Sequence, residues 1–293
     1  MKPSDILLAL LTITIWGCNF VVIKFGLKGL PPILFSSLRF LFAAMPLVFF
    51  VKRPQVPWRM VVGFALFQFA LQFTLLFIGI KLGFPPGLAS LVIQLQAFFT
   101  IGLAVLLLGE RPLANQLIGA LIALSGMALV AFNLDAKPTL IGFVLVVVAG
   151  FCWATANIFT KKMGKVNPLS LVTWGSLVAA PPMLLASYCI EGGDAWAMAA
   201  QKINWVSIGA VFFQSYPNTI IGYGIWSYLI GKYPTATIAP FTLLVPVVGM
   251  LAAALILDEP LQWWKLAAGA LVLGGLAFNQ LGSRWAGRQR LTT

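Results

Sequence analysis

Apolar runs of 18 or more residues recur along the whole chain, separated only by short polar clusters. A hydrocarbon core roughly 30 Å thick is crossed by a helix of about 20 such residues. The runs predict ten helical spans, over residues 5–24, 33–51, 59–80, 86–108, 114–133, 139–160, 169–189, 204–230, 236–257 and 263–282. They are continuous rather than alternating, which excludes a transmembrane β-barrel. The longest connection, Cys189 to Ile203, carries Glu191, Gly192, Gly193 and Asp194 and reads as a loop, so no soluble domain is expected. The first run lacks a small-x-small cleavage pattern and carries Trp16 and Asn19, so it reads as a retained helix rather than a signal peptide.

The pattern also repeats. Trp16 and Asn19, with Lys24 five residues beyond Asn19, reappear as Trp153 and Asn157, with Lys162 five beyond Asn157. Gln68 and Gln72 are matched by Gln214 and Asn218, again four apart. Glu110-Arg111-Pro112-Leu113 is matched by Asp258-Glu259-Pro260-Leu261. Three matches in one order, at offsets of 138, 146 and 148, predict a duplication into halves 1–136 and 137–293, the second ending in a short basic tail. With five spans in each half, the second half enters the membrane upside down. This inverted-repeat plan places a substrate site near the midplane between the repeats.

Polar and aromatic residues deep in the spans are the candidates for that site. Trp16 and Trp153 lie near the centres of their spans, whereas membrane tryptophans usually collect at interfaces, so they either pack helices tightly or wall a pathway. Asn19 and Asn157 lie a turn or two past the centres, in opposite directions after inversion. They serve either two gates or interhelical hydrogen bonds. Gln68 and Gln72 share a helix face, as do Gln214 and Asn218. With Gln94 and Gln96 they make a neutral hydrogen-bonding lining that must face protein or a wet cavity. In Gln214-Ser215-Tyr216-Pro217-Asn218-Thr219, Pro217 predicts a kink or break, after which Tyr216, Tyr223 and Trp226 could line a cavity. Arg39 is the one charge well inside a span; it either snorkels, attracts a substrate carboxylate or organises a network.

Composition and charge narrow the chemistry. Charged residues make up 9% of the chain and the mean hydropathy is +0.97, which fits a membrane protein surrounded by lipid rather than a soluble domain with about 25% charge. The net charge of +12 lies in short loops, so it reads as an orientation signal and not as a nucleic-acid surface. With the amino terminus in the cytoplasm, twelve Lys and Arg fall inside and six outside, which predicts both termini cytoplasmic. Cys18, Cys152 and Cys189 have no metal-type spacing and read as packing residues, so no metal or cofactor is expected. The sequence has no histidine, and its acidic residues fall at span ends or in loops. A proton relay therefore has no obvious carrier, with Asp5 and Glu110 the nearest. No hydrolase motif is present, so an enzyme is not expected.

Several stretches resemble the EamA family of the drug/metabolite transporter superfamily. They include Trp16-Gly17-Cys18-Asn19-Phe20, Leu38-Arg39-Phe40, Gln96-Ala97-Phe98-Phe99-Thr100, Gly222-Tyr223-Gly224-Ile225-Trp226 and Leu244-Val245-Pro246. The resemblance implies an all-α integral membrane protein of ten helices around a central cavity, in the bacterial inner membrane. It also implies export of amino acids and related metabolites, with neutral cargo from threonine, methionine or O-acetylserine to aromatic types. The expected partner is a small amino-acid-like substrate, and the expected working unit is a monomer. A membrane sensor that binds a metabolite without moving it is the alternative, although it would not need two symmetry-related gates.

Overall fold

The computed structural model describes residues 1–84, 86–133, 139–258 and 262–289, all helix and connections with no strand among them. Glu259, Pro260, Leu261, Lys137, Arg290 and the boundary between the expected halves lie outside the described residues.

Helices α1 (Pro3–Gly26) and α2 (Pro32–Ala44) begin with proline in the first turn, where its missing N–H would have had no intrahelical partner. Helix α3 (Trp58–Ala65) passes through a π-helical stretch, Leu66–Leu71, into α4 (Gln72–Lys81). Next come α5 (Pro86–Val92), a 3₁₀ turn at Ile93–Leu95, α6 (Gln96–Leu108) and α7 (Ala114–Phe132). Helix α8 (Leu140–Met163) precedes α9 (Pro168–Glu191), whose first turn is capped by Asn167 accepting from the Ser170 amide. After α10 (Gly193–Lys202), α11 (Trp205–Phe213) runs through a π-helical stretch, Gln214–Tyr223, into α12 (Gly224–Lys232). The last path comprises α13 (Thr235–Ile238), a 3₁₀ stretch at Ala239–Leu244, α14 (Val245–Leu257) and α15 (Trp263–Gln289).

Seven helical paths among the described residues are long and apolar enough to cross a membrane, and α7 adds a shorter apolar helix. The chain is a multi-pass membrane protein. Large apolar side chains such as Leu106, Phe132 and Leu255 stand exposed on its outside, a surface suited to lipid. Trp205 and Trp263, exposed at helix starts, suit the membrane interface.

Two expectations need correction. The connection from Cys189 to Ile203 is not a loop: α9 runs on to Glu191, and Ala195 to Lys202 are good helix formers that build most of α10. Of the kink or break expected at Pro217, the break is absent, and the helix instead departs from α geometry there. The wider π turns carry the backbone past a residue that has no N–H to donate.

The helices pack in pairs: α1 against α14, α2 against α9, α7 against α15, and α8 against both α4 and α6. The α7–α15 pair approaches through small residues. A Cβ on Gly119 would lie 2.5 Å from the Gly275 carbonyl oxygen.

Candidate functional site

A cavity of about 530 Å³ lies between α1, α2, α4, α8 and the π-helical stretch Gln214–Tyr223. That volume falls within the range of small-molecule sites. It extends to the face where α1 ends and α2 begins, with Leu27, Pro31, Lys81 and Glu191 at its rim. Of the residues singled out from sequence, Trp16, Asn19, Arg39, Gln72, Gln94, Trp153, Gln214, Asn218 and Tyr223 line it. Gln68, Gln96, Asn157, Tyr216 and Trp226 do not.

Aromatic rings form the floor. The Trp16 indole meets Trp153 edge-on at 5.5 Å between centroids and leans on Tyr223 at 4.8 Å and Trp226 at 5.5 Å. Its Nε1 donates to the Asn218 carbonyl at 3.3 Å. Gly222 makes this approach possible, because a Cβ there would lie 2.6 Å from Trp16 Nε1. The two tryptophans matched in sequence thus touch at the centre of the molecule.

The wall carries amides in two similar pairs. Gln68 Nε2 donates to Gln72 Oε1 at 3.0 Å, and Asn218 Nδ2 donates to Gln214 Oε1 at 3.0 Å, each on a π-helical stretch or its edge. Gln68 stays behind the wall and fixes Gln72. Arg39 does not snorkel: it is buried, its Nε donates to Thr219 Oγ1 at 2.7 Å, and its guanidinium lies over Phe73 at 4.4 Å and Phe40 at 4.6 Å. Thr219 is held in turn by donating to the Gln214 carbonyl at 2.7 Å.

Behind the floor the polar groups bond one another. Trp226 Nε1 donates to Asn157 Oδ1 at 3.0 Å, and Asn157 Nδ2 donates to Thr100 Oγ1 at 3.1 Å and Gln96 Oε1 at 3.3 Å. Gln96 Nε2 donates to Thr242 at 2.7 Å, which links α6 to the 3₁₀ stretch before α14. Further out, on the face of the amino terminus, Lys232 bonds Asp5 at 2.8 Å with Tyr228 and Tyr233 beside them. Lys161 pairs with Glu110, whose Oε2 accepts from the Thr235 amide at 2.9 Å. Burial pushes the Glu110 carboxyl upward, but the Lys161 and Thr235 hydrogen bonds and the Lys161 charge outweigh it, and its pKa falls below the ordinary 4.5. Tyr216 sits elsewhere, donating to the Met45 carbonyl at 3.2 Å.

Sequence reasoning missed Ser36, Phe73 and Glu191. Ser36 lies three residues before Arg39 on α2 and so shares its face, a usable signal. Glu191 accepts from the Ile33 and Leu34 amides at 2.6 and 2.9 Å and from Ser187 at 2.6 Å, so it caps the start of α2, where Pro31 offers no acceptor side chain. Nothing local in the sequence reveals that long-range cap.

The EamA-like transporter family matches residues 4–132 and again 140–280. The chain is 43% identical over 290 residues to a Salmonella typhimurium LT2 protein named "Probable amino-acid metabolite efflux pump", and 42% identical over 291 residues to an Escherichia coli K12 protein of the same name, covering 97% of this chain and of the relative in both cases. A solved crystal structure superposes with a TM-score of 0.78 at 18% identity, over 96% of this chain and 99% of the other, and shows the fold alone.

Proposed function

Because this chain belongs to the EamA-like transporter family, we propose that it exports neutral amino acids and related small metabolites across a bacterial inner membrane by alternating access. The observation that carries this reading is a one-sided pathway. A cavity of about 530 Å³ reaches one face, and a bonded polar network separates its floor from two charge pairs and a smaller pocket of about 320 Å³ on the other side. The relatives named as amino-acid metabolite efflux pumps support cargo of that class.

In this reading ten helical paths span the bilayer as two inverted repeats, 1–136 and 137–293. Two separate family matches support the repeat, and so do the paired amides on two π-helical stretches. Both termini are cytoplasmic, so the cavity faces the periplasm. The chain acts as a monomer without cofactor, and transport is facilitated, since Asp5 and Glu110 are held by lysines and neither lines the cavity.

The test is uptake of labelled threonine, methionine, phenylalanine and O-acetylserine into proteoliposomes, with and without a pH gradient. Saturable uptake independent of the gradient is expected. Uptake only with a gradient would overturn facilitation, and no uptake of any of the four would overturn this cargo class.

A further inference from the structure

Polar atoms buried in a protein are almost always bonded. Six in this cavity wall are not: Arg39 Nη2, Trp153 Nε1, Ser36 Oγ and the side-chain carbonyl oxygens of Asn19, Gln94 and Asn218. All six residues are at least nine-tenths buried. Elsewhere in the described core the hydroxyls of Thr12, Thr173 and Ser176 are unbonded too, but the amide and indole groups of Asn157, Gln96 and Trp226 have found partners. The unbonded guanidinium and indole atoms, and three of the amide oxygens, thus belong to residues that line the cavity, where small side-chain rotations would turn them toward a ligand.

The unbonded atoms also divide by sign. One is a fixed cation, with an indole donor on the same wall, three are neutral carbonyl acceptors, and the Ser36 hydroxyl can donate or accept. Among the described lining residues the one carboxylate is Glu191, and its oxygens are taken by two α2 amides and Ser187. Arg39 thus has no anion of its own, and a buried guanidinium with a free N–H is completed by a carboxylate. An ammonium has three donors and no acceptor, and three carbonyl oxygens complete it without adding charge.

We propose that the cavity recognises zwitterionic α-amino acids at two poles, the carboxylate at Arg39 and the ammonium at the carbonyl oxygens of Asn19, Gln94 and Asn218. This deepens the export reading and rests on it. The amides solvate the ammonium but cannot neutralise a second cation beside Arg39, so lysine-like side chains are disfavoured. The remaining wall, with Phe35, Phe73 and Phe77, takes an uncharged side chain.

The test measures binding to the purified full chain in detergent, by calorimetry, for methionine, methionine methyl ester and N-acetylmethionine. Phenylalanine and its two derivatives form a second set. The methyl ester lacks the carboxylate and the N-acetyl compound lacks the ammonium. Each derivative is expected to bind at least tenfold more weakly than its parent. Arg39→Gln should erase the preference over the methyl ester while Asn19→Leu erases that over the N-acetyl compound, and Arg39→Lys should restore part of the first. Derivatives that bind as well as their parents, or no binding by either parent, would overturn the two-pole site. Uptake of the same compounds into proteoliposomes reads the export proposal separately: binding with the two-pole pattern but no uptake would sink export and leave the site standing.

Discussion

Asn19 and Asn157 occupy matching places in the two sequence repeats, each followed by lysine five residues on, yet their surroundings are opposite. Asn19 faces the cavity with its carbonyl oxygen unbonded. Asn157 is held from three sides, by Trp226, Gln96 and Thr100. On the inverted-repeat reading these two positions belong to opposite ends of one pathway. On the alternating-access reading, the difference marks which end is open, and the bonds around Asn157 are what the Asn19 end would form when the molecule turns over.

The sharpest way to break this comparison is to make the same substitution twice. Asn157→Leu removes three hydrogen bonds and leaves the Trp226 indole N–H buried without a partner, while Gln96 keeps Thr100, at a cost of about 2–4 kcal/mol. Asn19→Leu removes no bond to its carbonyl oxygen and should cost under about 1 kcal/mol, while export falls strongly. Thermal unfolding in detergent and proteoliposome uptake read the two effects. Equal destabilisation by both would show that the asymmetry has no energetic content.

The contrast between the ends was only partly legible beforehand. Continuous apolar runs reveal the helices because lipid leaves backbone groups no other partner, and the periods of polar residues reveal which faces turn inward. Gln72, Gln94 and Arg39 were accessible to that logic. What a sequence does not state is which of two matched positions is filled by its neighbours and which is left open, since both carry the same residue. Gln96 and Gln94 differ by two positions, and one bonds Thr242 while the other lines the cavity. The Glu191 cap on α2 was hidden for another reason: it joins residues more than 150 positions apart.

A smaller effect is expected from the outer charge pairs that shut the amino-terminal face. Combining Asp5→Asn with Glu110→Gln keeps shape but removes both charges facing Lys232 and Lys161. Ala236 is buried behind this contact, beside a pocket lined by Glu110, Lys161 and Tyr233. With Cys18, Cys152 and Cys189 replaced by alanine, an Ala236→Cys probe should react with a membrane-impermeant maleimide added on the side of the amino terminus about threefold to tenfold faster in the double variant. Unchanged labelling would mean that the Asn157 network alone holds this end shut.

The smallest effect concerns pH, and its sign separates two roles for Glu110. Its folded pKa is depressed below 4.5, so its contribution is fully present above that ordinary value and is lost as pH falls through the depressed one. Glu110 is partly exposed, so screening limits the Lys161 pair to about 0.5–1 kcal/mol. The unfolding midpoint of the wild type should therefore exceed that of Glu110→Gln by a small, constant margin from pH 7 to about pH 5, and the margin should close only in more acidic solution. If it closes already near pH 6, burial dominates over Lys161 and Thr235. Glu110 would then bind a proton at physiological acidity and become the proton carrier that a purely facilitated exporter does not need.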